Sequence, residues 1–313
     1  MSRVSVKIVL LMFAILLSSP AYAQLNTQHV KGSTGLKSGS APPPGGYMIL
    51  PLVYFYNTDT VRDRNGDKLP VNADLSVSFF GAGYARTTEM KVLGGHYGFS
   101  FLFAGANNRI QGTEIDSNPG AGWTDAVVTP AQIGWRFKQA DAVVQYNLFL
   151  PIGRYTDGAS DNTGLGMWGH EFAGGTTLYL DETRKYHAAA NLSFDFQSKK
   201  EDSETKVGTQ MNLEGGVGAD LLEGGLSVGL VYYWAKKITD DEIEGIPGIL
   251  IRGKNASVGL GPEVTLTLVA KRKVFGFLTA RYFWETYART TTQGNAFLVN
   301  ATFLTKPIQL PTK

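Results

Sequence analysis

Residues 186–197 read Y-H-A-A-A-N-L-S-F-D-F-Q and separate by simple alternation into two sets. Tyr186, Ala188, Ala190, Leu192, Phe194 and Phe196 carry no charge, while His187, Asn191, Ser193, Asp195 and Gln197 are polar. Period two marks a strand with one apolar and one wet face. About ten such residues, ending in aromatics on the apolar side, match a tilted strand that crosses a bilayer. Strands of this kind recur along the chain. Segments 47–56, 74–87, 92–104, 127–137, 142–152 and 168–180 precede residues 186–197, and 207–221, 226–234, 258–268, 274–287 and 296–304 follow.

The connections between these segments alternate between long stretches rich in Gly, Asn and Asp and turns of a few residues. An even number of strands, about twelve, joined in this way predicts an all-β fold, a transmembrane antiparallel up-and-down barrel. Long loops then face outward, short turns face the periplasm, and both ends of the chain lie on the periplasmic side. A soluble sandwich would need a second sheet over each apolar face and would not require the alternation of loop lengths. Aromatic runs at 54–56, 194/196, 232–234 and 282–284 fall where this topology places the outer lipid interface, a depth that suits Tyr and Trp.

The ends of the chain read differently. Residues 1–23 have the form of a cleaved secretory signal, with Arg3 and Lys7, an apolar core from Ile8 to Leu17, and Ala21-Tyr22-Ala23 before Gln24. That core is too short to span a membrane as a helix. Residues 24–46 are small and polar and close on Pro42-Pro43-Pro44, an extended, flexible lead-in. A sharper reading makes it a short plug tucked into the pore. The barrel then occupies 47–305, and 306–313 form a tail. With a formal charge of +2 and no cysteine in 313 residues, the chain offers no nucleic-acid footprint, disulfide or thiol chemistry.

Several motifs carry a family resemblance. Gly35-Leu36 with Gly39 and 42–47 (P-P-P-G-G-Y), Asp125 with Pro130 and Gly134-Trp135, Leu150-Pro151-Ile152-Gly153-Arg154-Tyr155, and Gly259-Leu260-Gly261-Pro262-Glu263 together resemble the SphA-like family. That family is also called the "MetA-pathway of phenol degradation" family and is distantly similar to long-chain fatty acid transporters. The resemblance implies an outer-membrane channel of a Gram-negative bacterium for hydrophobic or aromatic compounds. The Asn-Pro-Ala start typical of the fatty acid transporters is missing here, which separates this chain from their hatch mechanism.

Candidate chemistry follows from the inward phase of the strands. Gln145, Asn147, Asn191, Asp195, Gln210, Asn212, Glu214, Glu263, Arg281 and Glu285 are expected to line the lumen, with Arg281 paired to carboxylates across it. Phe80 and Phe149 are expected as apolar rungs inside. Pro51, Pro130, Pro151 and Pro262 fall in or at the ends of strands, where a missing N–H loosens the ladder. They are candidates for kinks in the wall and a side opening, or simply strand ends. Catalysis finds no support: His187 and Ser193 share a face but lie roughly 20 Å apart at ~3.3 Å per residue. His29 sits in the flexible start, and no spacing of Asp, Glu and His suggests a metal or other cofactor. The expected partners are outer-membrane lipid, small hydrophobic or aromatic solutes, and periplasmic chaperones with the barrel-assembly machinery during biogenesis. The reading is therefore a passive channel for such solutes, with a structural or surface-interaction barrel of plugged lumen as the alternative.

Overall fold

The computed structural model describes residues 27–71, 73–112, 116–118, 120–159, 161–243 and 254–309. The expected signal sequence and cleavage site lie outside the described residues. Strands follow one another as β1 (Gly45–Thr58), β2 (Ala73–Val92), β3 (Gly95–Gly112), the two-residue β4 (Asp116–Ser117) and β5 (Gly122–Trp123), β6 (Ala126–Arg136) and β7 (Ala140–Leu150). They continue as β8 (Gly169–Tyr179), β9 (Tyr186–Gln197), β10 (Gln210–Leu221), β11 (Leu226–Lys237), β12 (Ala256–Ala270), β13 (Lys273–Arg289) and β14 (Asn295–Gln309). Every neighbour is antiparallel, and β1 pairs with both β2 and β14, so the sheet closes. Leaving out β4 and β5, which pair only onto β3, the wall is a barrel of twelve strands.

Closure satisfies each strand's N–H and C=O groups without an exposed edge, the condition for crossing lipid. Alternation then decides which side chains face in. Along β9, Tyr186, Ala190, Leu192 and Phe196 are exposed, while His187, Asn191, Ser193, Asp195 and Gln197 are buried. Exposed Leu178, Val217, Leu230, Leu260, Leu266 and Phe303 belong to the same outer band. One end of the barrel carries short turns, such as Leu93–Gly94 and Lys271–Arg272, and the other carries the long loops.

Three sequence expectations are corrected by this geometry. Neighbouring residues on a strand point to opposite faces, so the aromatic runs cannot lie wholly at a lipid interface. Tyr54, Tyr56, Tyr233 and Phe283 are buried inside, while Phe55, Trp234 and Trp284 face out. Phe80 is 63 % exposed, because the inward phase of β2 is set by Leu75, Val77 and Phe79, which pack on the interior cluster. Phe80 therefore belongs to the outer surface and is no rung of the lumen. Finally, β3 runs to Gly112, where a loop was expected from residue 105. Asn107, Asn108, Arg109 and Gln111 make both faces of that extension polar, so no hydrophobic alternation marks it.

Three prolines interrupt the ladder of the wall. Leu50 and Pro51 are unpaired, with the register of β1 shifting between Ile49 and Leu52 against both neighbours. Beside Pro130, the register of β6 shifts between Val128 and Ala131 against β7, and β3 shifts between Gly98 and Ser100. Pro262 lies opposite Leu230 of β11, but with Gly261 it has no partner in β13, where pairing skips from Leu260–Trp284 to Glu263–Arg281 without a change of register. Pro151 lies just beyond the end of β7, a strand terminus. Pro51 and Pro130 thus sit at register shifts, Pro262 sits at a gap in the ladder, and Pro151 sits at a strand end.

Candidate functional site

Residues 27–44 do not trail from the barrel; they run through it as a strap. The strap enters at the short-turn end, where β1 begins, and rises along the inner faces of β8 to β13 towards the long loops. Ser40 Oγ donates to Asp141 (2.9 Å) and Gly39 N to Thr177 Oγ1 (3.2 Å) near the short-turn end. At the other end Thr27 Oγ1 donates to Asp195 (3.1 Å) and Gln28 Nε2 to the Met167 carbonyl (2.5 Å). Small residues let the strap lie this close. A Cβ on Gly35 would sit 1.8 Å from Glu263 Oε2, and one on Gly39 would sit 2.0 Å from the Thr176 backbone.

Between these ends the wall carboxylates, each on a different strand, hold the strap. Glu214 of β10 accepts from the amides of Gly32 (2.7 Å) and Thr34 (2.9 Å), from Thr34 Oγ1 (2.8 Å) and faces His29 Nε2 at 2.9 Å. Glu171 of β8 faces His29 Nδ1 at 2.5 Å. Glu263 of β12 accepts from Leu36 N (3.2 Å) and from Arg281 Nε (2.5 Å), while Arg281 also donates to the Ser33 carbonyl (2.8 Å). Glu285 of β13 takes Lys31 Nζ (3.2 Å), Tyr56 Oη (2.7 Å) and Tyr233 Oη (2.8 Å). Buried charges require such partners, and loss of one partner typically costs 3–5 kcal/mol.

All the expected lumen-lining polar residues face inward. Asn191 reaches the Ser38 carbonyl, Asn147 bridges Thr129 and Glu171, and Gln145 pairs with Gln132. Gln210 and Asn212 join each other and Asp195. Arg281 meets Glu263, whereas Glu285 and Glu214 go to other strap residues. The side chains thus form no single bridge across the pore. Phe149 faces in and is buried, and a Cβ on Gly169 would meet both it and Gln28; it is covered and offers no free rung.

The sequence reading missed two features. His29, expected in a flexible start, sits between two buried carboxylates. The other is an apolar strip: Leu36 of the strap packs with Tyr54, Tyr56, Val231, Tyr233, Phe283 and Leu298, and Val30, Leu52, Leu75, Val77 and Phe79 extend this cluster. The signal was available in the doubled aromatics, where one of each adjacent pair had to face in. The lumen wall is therefore polar along β8 to β10 and carries an apolar strip across β11, β13, β14, β1 and β2, beside the Pro51 bulge, on which Leu36 and Val30 of the strap pack. Ser33 and Lys37 are exposed on the strap, so its inner side faces open space.

At the upper end, described residues of the long loops pack on one another. Asp125 accepts from Gly153 N (3.1 Å) and Leu165 N (2.9 Å). Lys200 is 5 % exposed and its Nζ, 5.3 Å from the Tyr155 ring centroid, has no hydrogen-bond partner. Burial lowers the Lys200 ammonium to about 8. Since the folded value lies below the unfolded one of ~10.4, the fold carries the full penalty below pH 8 and loses it as pH rises towards 10. Lys200→Met is expected to stabilise the protein at pH 7 by on the order of 2 kcal/mol, after discounting for solvent. Urea unfolding at pH 7 and pH 9.5 checks the sign, because the advantage of the variant shrinks at the higher pH.

A family model described as "Putative MetA-pathway of phenol degradation" matches residues 58–301. The chain belongs to this family. The match runs from the end of β1 into β14 and leaves out the strap and nearly all of β1, whose motifs carried part of the sequence resemblance. No curated protein matches the sequence. Among solved structures, the COG4313 outer membrane channel from Pseudomonas putida F1 is similar with a TM-score of 0.67 and 15% identity, over 85% of this chain and 97% of that one. This family member thus shares the fold of an outer-membrane channel. The β domain of the Bordetella autotransporter BrkA has a TM-score of 0.49 at 14% identity, over 83% and 99% of the two chains. A mutant of the TodX monoaromatic hydrocarbon channel has 0.38 at 11% identity, over 93% and 94%. Neither of these two bears further on this chain.

Proposed function

We propose that the protein is an outer-membrane channel for passive uptake of small hydrophobic or aromatic compounds, closed at rest by its own strap. The observation that carries this reading is the divided lumen. An apolar strip from Phe79 and Leu52 to Tyr233 and Phe283 packs against Leu36 and Val30 of the strap, which polar side chains and a few amides hold with no strand pairing. A water-filled pore has no use for an apolar wall, whereas an apolar solute needs one. The break in the ladder at Pro51 lies beside that strip, and the one at Pro130 lies in β6, beyond β2 and β3. Both are mid-strand and are the proposed way out of the lumen into the membrane. The long loops are extracellular in this reading and the short turns periplasmic.

A second reading, a structural barrel with a permanent plug, is favoured by the many bonds to the strap. Proteoliposomes carrying the refolded protein separate the two, with uptake of a phenol and of a sugar of similar size compared. Empty liposomes are the control, since phenols cross lipid unaided. Protein-dependent uptake of the phenol alone is expected. Equal passage of both solutes would mean a general pore, and passage of neither would favour the plug.

A further inference from the structure

The strap and the wall bring together three donors that sequence spacing could not have united. His29, Glu171 of β8 and Asp195 of β9 each offer one ligand atom, and these atoms lie within 4.8 Å of one another. Glu171 and Asp195 are direct cross-strand partners, 3 % and 0 % exposed. Like charges opposite one another on a sheet repel, and burial sharpens the cost. Asp195 Oδ2 accepts from Thr27 and Asn212, but Oδ1 is buried with no hydrogen-bond partner. A carboxyl oxygen left without a partner in a dry wall is expensive. A cation between the two carboxylates would answer both costs.

The surroundings resemble the outer shell of a metal centre. A ligating histidine usually donates its second N–H to a carboxylate, which fixes tautomer and ring orientation. His29 Nε2 lies 2.9 Å from Glu214 and leaves Nδ1 turned to Glu171. Ser193 Oγ (3.0 Å) and Asn147 Nδ2 (2.5 Å) donate to Glu171, and Asn212 Nδ2 (3.0 Å) to Asp195. We propose that His29 Nδ1, Glu171 and Asp195 form a binding site for a divalent transition metal of the zinc type, with Glu214 holding the His29 ring. One imidazole with two carboxylates suits such an ion better than Ca²⁺ or Mg²⁺, which take oxygen ligands. On binding, the metal takes the Nδ1 lone pair, any proton there leaves to solvent, and the donors settle at about 2.0–2.2 Å from the ion. The ion staples strap to wall, a consequence that rests on the closed-channel reading; metal binding itself does not.

The test uses the full refolded chain, stripped with a chelator and then dialysed against Zn²⁺. Plasma mass spectrometry is expected to find one zinc per chain. His29→Ala and Asp195→Asn are expected to weaken binding about 100-fold, Glu214→Gln about 10–100-fold, and His96→Ala not at all. Heat-modifiable gel mobility confirms that each variant is a folded barrel. Substitution by Co²⁺ gives an independent readout, an absorption band in wild type that Asp195→Asn loses. Wild type that retains no zinc, or zinc retained equally by His29→Ala and Asp195→Asn, overturns the proposal. These measurements involve no solute, so a failed metal site and a failed channel are told apart.

Discussion

Deleting residues 27–44 is expected to raise the single-channel conductance of the barrel by about tenfold or more and to make it cation-selective. The strap bonds to the wall from Asp141 at one end to Asp195 at the other, so its loss opens the inner face of β8 to β13 to water. Glu171, Glu214, Glu263 and Glu285 then line that water without their strap partners, Glu263 keeping Arg281 and Glu285 keeping Tyr56 and Tyr233, and lumen carboxylates of this kind favour cations. Planar-bilayer recordings of wild type and the deletion, with reversal potentials in a salt gradient, read both effects. Leu36→Asp serves as a second variant of unchanged length. It places a charge where Leu36 is 2 % exposed against Tyr54, Phe283 and Val231, and is expected to move conductance in the same direction. Unchanged conductance in both variants would mean that something other than the strap closes the pore.

Glu214→Gln is expected to give the largest effect of any single substitution on how firmly the strap is held. Glu214 accepts from two strap amides and a hydroxyl and faces His29. A glutamine offers one acceptor oxygen and turns an NH₂ towards donors, leaving buried N–H groups unpaired. A cost of about 3 kcal/mol follows, which at 1.4 kcal/mol per decade raises the released fraction of the strap roughly a hundredfold. The chain has no native cysteine, so Leu36→Cys reports release through its rate of modification by a thiol reagent. The rate is expected to rise about 100-fold when Glu214→Gln is added. Gln132→Ala, on the far wall, is the control and should leave it unchanged.

The barrel was legible because a wall between lipid and lumen imposes period two along each strand. The order of long and short connectors then excluded other arrangements. Where that signal weakened, so did the reading: β2 carries apolar residues on both faces, and Phe80 was placed inside although Leu75, Val77 and Phe79 hold that position. The inward polar residues were legible one by one, since each breaks an apolar alternation. What they bind was not. The strap of residues 27–44 shows no periodicity, and its Gly, Ser and Thr content reads as a linker; its structure comes from contacts more than 100 residues away in sequence, such as Lys31 to Glu285. His29 illustrates the limit: nothing near it in sequence points to Glu171 or Glu214.

In this mechanism the strap leaves its seat when an apolar solute passes through the channel. The most direct measurement is the modification rate of Leu36→Cys in proteoliposomes, with a membrane-impermeant thiol reagent, in the presence of a small aromatic solute or a sugar of similar size. The rate is expected to be slow at rest, to rise with the aromatic in a saturable manner, and to stay at the resting value with the sugar. A rate that is already fast at rest, or that fails to respond to an aromatic that the same vesicles take up, would contradict the strap as the moving part.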